Sequence, residues 1–448
     1  MKQILYNALV VNEDRIFKGY VEISEEGIIT EIGDSVQGKY GPRSGCAATD
    51  LKGNLLLPGV IDSHVHFREP GGEHKATVFS ESRAAVAGGV TSYMEMPNTN
   101  PVTVSLEALE DKFRRASSDS MANFSFWIGA SRTNLDVLEA VDYSRVPGVK
   151  LFMGLSTGGM LVDGDDTLAE IFKLPVLIAT HCEDESTIRT NMEAVKSLYA
   201  GDRNPEISWH PQIRDVLACY KSTAHAVSLA RKFGTRLHVM HLTTAQELDL
   251  FSADCPNITA EACVAHLRFC DEDYESLGTR IKCNPAVKSA MHRKALRQAV
   301  RSGIISTVST DHAPHTLEEK NQSLFTAPSG MPMVQFSLPA MLDLALQGEF
   351  SLETVVRRMC HAQADTFGIQ GRGYIREGYA ADLVQVDPER CTEVRPGIIL
   401  SKCGWSPLEG TTLRSKVIRT WVNGREVYSE LSGINELNRS AMPLKFGK

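Results

Sequence analysis

The chain lacks long apolar runs. No stretch of its 448 residues approaches the roughly 20 consecutive apolar residues that a membrane-spanning helix needs. It also lacks any CxxC pair: its ten cysteines are scattered, a usage expected of reduced cytosolic thiols rather than of a secreted disulfide framework. There is no excess of positive charge, since 47 Lys and Arg against 55 Asp and Glu give a net charge of −8. That balance excludes a strongly basic nucleic-acid binder. Low-complexity segments, internal repeats and charge runs are missing as well. With 42% hydrophobic and 23% charged residues the composition is that of an ordinary globular protein, not of a disordered or collagen-like chain. Residues 1–17 carry only a short apolar run, broken by Glu13, Asp14 and Arg15, and are not expected to act as a signal peptide. The expectation is a cytoplasmic protein with neither nucleic-acid nor membrane partners. The length allows about three domains of ~150 residues or one large barrel with additions. Either can bury a full core without disulfide staples.

The pattern along the chain favours the barrel. Residues 4–11, 19–23 and 28–32 read as short β-branched strands. From residue 55 the texture changes to apolar runs at 59–66, 90–96, 124–128, 149–153, 176–181, 237–241, 258–261 and 305–311. Helix-compatible sequence such as 81–87 and 106–117 separates most of them. Eight strand–helix units with apolar strands predict an α/β fold, a (β/α)8 TIM-like barrel. Residues 281–284 could also be extended. A helical stretch is expected over 351–367. Strand texture then returns at 381–387 and 417–422, ahead of the hairpin dipeptide Asn423-Gly424. The two strand-rich ends are expected to pair, giving a composite β domain from 1–54 and 376–430, a barrel over 55–375, and a loosely packed C-terminal tail over 431–448.

The chemistry is concentrated at the ends of the candidate barrel strands. His64-Val65-His66 closes the first. Residues two apart on a strand share a face, so both imidazoles point the same way at the end where barrel enzymes place active sites. Taken alone, an HxH is read equally well as two histidines that happen to alternate. His181, His241 and Asp311 then close three further strands, and together they put nitrogen and oxygen donors on one rim. Imidazole and carboxylate are the ligand set for zinc or a similar divalent ion. Lys150 stands in an otherwise apolar fourth strand, where a lone cation is costly. It snorkels to solvent, pairs with a carboxylate, or is carboxylated by CO2; spacing alone favours snorkelling.

Four motifs carry a resemblance. They are His64-Val65-His66-Phe67-Arg68-Glu69-Pro70-Gly71, Met96-Pro97-Asn98-Thr99-Asn100-Pro101, His181-Cys182-Glu183-Asp184 and Thr310-Asp311-His312-Ala313-Pro314-His315. In this combination the chain resembles the dihydroorotases of the amidohydrolase superfamily, from about residue 55 to residue 387. The resemblance implies that the terminal strands form a small β-sandwich. It implies two Zn2+ per subunit: His64, His66 and Asp311 on the more buried ion, His181 and His241 on the second, and a carboxylated Lys150 with a hydroxide between them. Some relatives use an aspartate soon after that strand. Here Gly154 to Gly159 supply none, and Asp163, Asp165 and Asp166 are the fallback bridges.

On the substrate side the resemblance gives Arg68 and Asn98 the carboxylate of dihydroorotate, and makes Asn284, His315, Ser329 and Gly330 further contacts. Ala286, Lys288 and Ser329 depart from the residues usual in relatives. The implied reaction is the reversible cyclisation of N-carbamoyl-L-aspartate to L-dihydroorotate, an early step of pyrimidine synthesis, with Asp311 as the catalytic proton shuttle. A homodimer is expected by analogy. The rival readings are a hydantoinase or allantoinase, whose ring is neutral, and a metal-free scaffold. Residue by residue, Arg68 could instead be a rim charge paired with Glu69 or Glu73, and Asn98 a loop cap. His74, His238, His266 and His312 are expected to be structural or surface residues, Cys182 to face away from the site, and 311–333 to form a loop that could close over the substrate.

Overall fold

Eight short apolar segments become parallel strands: Val60–Val65, Val90–Glu95, Asn123–Phe126, Val149–Phe152, Leu177–His181, Arg236–Val239, Ile258–Cys263 and Thr307–Ser309. The computed structural model in which they are seen describes residues 1–34, 45–154, 160–162, 164–199 and 204–447. Successive strands pair in parallel, with Val60 opposite Val90, Ser92 opposite Asn123, Lys150 opposite Ala179, Ile178 opposite Leu237, and Glu261 opposite Thr307. The third strand breaks at Trp127, and its continuation Ile128–Gly129 pairs with Val149 and Lys150. The ring closes where Val65 bridges His312 and the His66 N–H donates to the His312 carbonyl (2.7 Å). These strands are buried on both faces, which is why they read as continuous apolar runs rather than alternating ones. Residues 281–284 are not a strand; a 3-10 turn over Gly278–Ile281 leads into the loop that carries Asn284.

Helices start where side chains satisfy their first N–H groups. Thr77 and Ser80 form a reciprocal cap on Val78–Ala87, and Ser105 caps Leu106–Asp119. Beyond the barrel, Gln3–Asn12, Leu55–Pro58, Leu383–Asp387 and Lys416–Val422 are neighbours in one nine-stranded mixed sheet built from both chain ends. Its side chains alternate between two cores, as period two requires. Leu55, Leu57, Val384 and Val386 face the barrel core, whereas Leu56, Leu383 and Trp421 join Leu5 and Val10 in a core of the sheet's own. The hairpin at Asn423-Gly424 has positive φ at both residues (47° and 73°), the two-residue turn that this dipeptide favours.

The last residues are not a loose tail. Gly433–Ile434 extends the terminal sheet, and Leu444 and Phe446 are buried in one cluster with Ile61, Leu177 and Phe367. The Leu444 N–H donates to the Phe124 carbonyl (2.8 Å) and the Phe446 N–H to that of Ser144 (2.9 Å). The segment is tied down by isolated backbone bonds and two apolar side chains, which leave no sequence period to read.

One buried ion pair fixes the chain just beyond the paired histidines. Lys112 Nζ, on Leu106–Asp119, lies 2.5 Å from Glu95 Oε2 and donates to the Met96 carbonyl (2.9 Å). Glu95 Oε1 accepts the Phe67 N–H (3.1 Å). Burial disfavours both charges, raising Glu95 and lowering Lys112, so each depends on the other. Lys112→Met should therefore cost about 3–5 kcal/mol in urea unfolding, because it strands a buried carboxylate. Adding Glu95→Gln should recover part of the loss. A single variant as stable as the parent would show that Glu95 does not depend on Lys112.

Candidate functional site

The six expected donors, His64, His66, Lys150, His181, His241 and Asp311, line one cavity of about 210 Å³ together with Arg68, Asn98, Asn284, His315, Ser329 and Gly330. They come from separate strands: His64 from the first and His66 one residue beyond it, Lys150 from within the fourth, His181 from the end of the fifth. His241 and Asp311 lie two residues beyond the sixth and eighth. Arg68, His241 and Asp311 adopt left-handed backbone conformations (φ 67°, 41° and 49°). Among the described residues, the other five non-glycine residues of that kind sit in turns and a bulge of the terminal sheet. Such conformations cost on the order of 1–3 kcal/mol each and persist where the surroundings enforce them.

The protons of the imidazoles are held on their outer sides. The His64 Nδ1–H donates to Glu261 Oε1 and the His66 Nδ1–H to Asn98 Oδ1, both at 2.8 Å. That leaves two Nε2 lone pairs 3.3 and 3.0 Å from Asp311 Oδ1. His181 Nε2 faces Glu183 Oε2 at 3.1 Å, which turns its Nδ1 toward His241 Nε2, 2.8 Å away. Burial lowers His66 to about 4 and also lowers His181 and His241, so these rings are neutral near pH 7. Lone pairs and an anionic oxygen converging at 3 Å repel one another unless a cation lies among them. The donor set and its outward hydrogen bonds fit a divalent metal such as zinc.

Lys150 does not snorkel. It is 1% exposed, with Nζ 2.8 Å from Met240 Sδ. Among the described residues no carboxylate forms an ion pair with it, and burial lowers it to about 8. The closed ring excludes the snorkelling that spacing favoured, because the fourth strand is one of its staves and the Lys150 side chain is buried in the cavity. Of the fallback bridges, Asp165 opens the helix Asp165–Phe172 with its side chain 89% exposed, Asp166 follows it at the surface, and Asp163 lies outside the described residues.

Arg68 is not a rim charge. Its Nε–H donates to the Pro314 carbonyl and its Nη2–H to His315 Nε2, both at 3.0 Å. Glu69 is taken instead by Arg115 (3.2 Å) and by the Val78 N–H (2.9 Å). No ion pair neutralises Arg68 within the described residues, although burial lowers it to about 10. Asn98 binds His66 rather than capping a loop. Asn284 Oδ1 is buried without a hydrogen-bond partner among the described residues. His238 and His312 are buried structural residues, bonded to Thr259 and Glu81 respectively, and His74 is at the surface. His266 is buried too, with Nε2 3.0 Å from the Pro285 carbonyl. Cys182 is not among the residues lining the cavity.

Sequence reasoning passed over Glu261. It lies within the buried strand Ile258–Cys263 and serves both halves of the cluster, accepting from His64 Nδ1 and from the His241 N–H (3.1 Å). Burial opposes its charge, yet His64 lowers it to about 2. A carboxylate on an apolar strand was the available signal, the same one that drew attention to Lys150. Glu183, clamped by Arg214, plays the corresponding part behind His181. Glu261→Gln should weaken zinc affinity by about 10–100-fold in a chelator competition, since outer partners of metal-binding histidines carry that much. Unchanged affinity would remove Glu261 from the centre.

Residues 55–427 match the model of the amidohydrolase family. A dihydroorotase of Halobacterium salinarum is 36% identical over 382 residues, which cover 83% of this chain and 88% of that protein. A dihydroorotase of Bacillus cytotoxicus is 28% identical over 442 residues, 97% of this chain and 100% of the other. Among solved structures, the L-hydantoinase (dihydropyrimidinase) of Arthrobacter aurescens superposes with a TM-score of 0.92 at 25% identity, covering 99% of this chain and 100% of that one. A dihydropyrimidinase from Brevibacillus agri gives 0.88 at 22% identity over 100% of both chains, a likeness of fold. With the match spanning barrel and site alike, the chain belongs to the amidohydrolase family.

Proposed function

We propose that this member of the family interconverts N-carbamoyl-L-aspartate and L-dihydroorotate, a step of pyrimidine synthesis, and does so with zinc. The observation that carries the reading is Arg68, a cation in the wall of the cavity with no ion-paired carboxylate among the described residues. Its fork geometry suits a substrate carboxylate, and a neutral hydantoin-type ring gives it nothing to bind. The dihydroorotase relatives support the same choice.

His64, His66 and Asp311 would hold one zinc ion and His181 and His241 a second, with Lys150, once carboxylated, as the link. Carboxylation suits a buried amine lowered to about 8, because it exchanges an unpaired ammonium for two oxygen donors. Bound there, the metal pair supplies an acidified water and a polarised carbonyl.

The remaining work falls to the chain. Arg68 and Asn98 orient the substrate carboxylate, and the unpartnered Asn284 Oδ1 accepts a ring N–H. In the hydrolytic direction water adds to the ring carbonyl, the ring C–N bond breaks, and the nitrogen leaves with a proton. Asp311, the anionic member of the donor set, takes that proton from the attacking water and delivers it to the nitrogen; ring closure runs the same transfer backwards.

The deciding measurement is steady-state hydrolysis of L-dihydroorotate by zinc-loaded protein, with hydantoin and allantoin alongside. Turnover of dihydroorotate alone is expected. Turnover of a neutral ring would favour the hydantoinase reading that the structural likeness suggests, and turnover of none would revive the scaffold. Asp311→Asn should lower kcat by about 10²–10⁴-fold, the range for losing a positioned proton carrier. Lys150→Ala should lose zinc and activity together and regain part of both with short carboxylic acids. Full activity of Lys150→Ala without any additive would refute the carbamate.

A further inference from the structure

Two buried lysines outside the donor cluster have no role in the chemistry above. Lys320 is 0% exposed, and all three of its N–H groups end on main-chain oxygens: Lys282 (3.0 Å), Pro328 (2.8 Å) and Gly330 (2.8 Å). Lys282 Nζ donates to the carbonyls of Leu324 (2.6 Å) and Ala327. The Lys282 carbonyl is itself held a second time, by the Gly330 N–H (2.9 Å). Neither lysine has an ion-paired carboxylate among the described residues.

A buried ammonium costs far more than a buried amide unless it is fully hydrogen-bonded. Five carbonyls turned inward on two cations are therefore a specific device, and its position gives it meaning. Pro328, Ser329 and Gly330 line the substrate cavity, and Asn284 stands two residues beyond Lys282. The segment is loop between the short helix Leu317–Lys320 and the 3-10 turn at Val334–Phe336, tied otherwise by a turn at Ser323–Ala327, by His315 against the Ser329 carbonyl and by the His312–Met331 bridge. Gly330 adds to the constraint. Its φ is 131°, and a Cβ there would stand 2.5 Å from the Ala313 carbonyl, so the backbone fits in one way only. Burial, reinforced by repulsion from Lys282 and Arg68, lowers Lys320 to about 7, and burial lowers Lys282 to about 8.

We infer that Lys320 and Lys282 are positioning residues. Their ammonium groups lock the 324–330 backbone against the Asn284 loop and so set the wall that receives the anionic ring. A loop locked in its binding form costs less ordering when substrate arrives. In their protonated forms the two lysines, with Arg68, bias this wall toward a negatively charged ligand. The choice of ligand rests on the function proposed above; the lock itself does not.

The test uses zinc-loaded full-length Lys320→Met. Binding that is lost equally from ground and transition states appears in KM alone. KM for L-dihydroorotate should rise about tenfold or more with kcat within about threefold, the loss expected from hydrogen bonds to a charged group. Zinc content should not change, and protease should cut within 321–330 at least about ten times faster than in the parent, as an unlatched loop allows. An unchanged KM together with unchanged cleavage would overturn the inference. A fall in kcat with loss of zinc would overturn it as well, by showing a general structural role. If Lys320→Met does not fold, Lys282→Met, which releases two carbonyls instead of three, carries the same readouts. Should the parent turn over no dihydroorotate, the functional reading fails, while the cleavage comparison still decides the lock.

Discussion

The structure depends on a repulsion. Nε2 lone pairs of His64 and His66 meet an anionic oxygen of Asp311 at 3.3 and 3.0 Å, and His181 meets His241 at 2.8 Å. A cluster of this kind does not assemble from flexible loops, because each group would turn away. It needs rigid strand ends to bring the groups in and outward partners to keep their protons out. The closed barrel supplies the first, and Glu261, Asn98 and Glu183 supply the second. The left-handed backbones of His241 and Asp311 mark where the frame bends the chain past its easy conformations to complete the set. A cation between the donors turns the repulsion into attraction, so metal affinity and local strain are two sides of one arrangement.

What could be read in the sequence was what period and strand position express. All eight barrel strands overlap the expected apolar runs, and the expected donors meet because strand ends of a barrel share one rim. What stayed illegible was set by partners far away in the chain. Glu261 binds a histidine 197 positions earlier, and nothing near it announces the contact. Lys150 looked free to snorkel until the closed ring showed Met240 beside it. Leu444 and Phe446 sit in an aperiodic segment whose order comes from single bonds to Phe124 and Ser144. Lys320 lies in a polar stretch that resembles any surface helix end, although it is among the most buried cations of the chain.

The same barrel also serves hydantoinases, as the superposition at a TM-score of 0.92 shows, so the fold cannot choose the ring that is cleaved. The choice falls to the wall that faces the donors. There the charges separate by sign. Asp311 and Glu261 place negative charge among the donors, Glu261 held ionised by the His64 Nδ1–H against the cost of burial. Arg68, Lys282 and Lys320 place positive charge on the substrate side, with carbonyl oxygens rather than carboxylates as partners. A carboxylate opposite those cations would have cancelled the field within the protein, whereas carbonyl dipoles satisfy the donors and leave a net charge for a ligand to meet. Under the proposed function an anionic ring would enter such a cavity with its carboxylate drawn to Arg68 and its amide facing the donor cluster. A neutral ring of the same shape enters without that torque, and its amide must find the reactive position by shape alone.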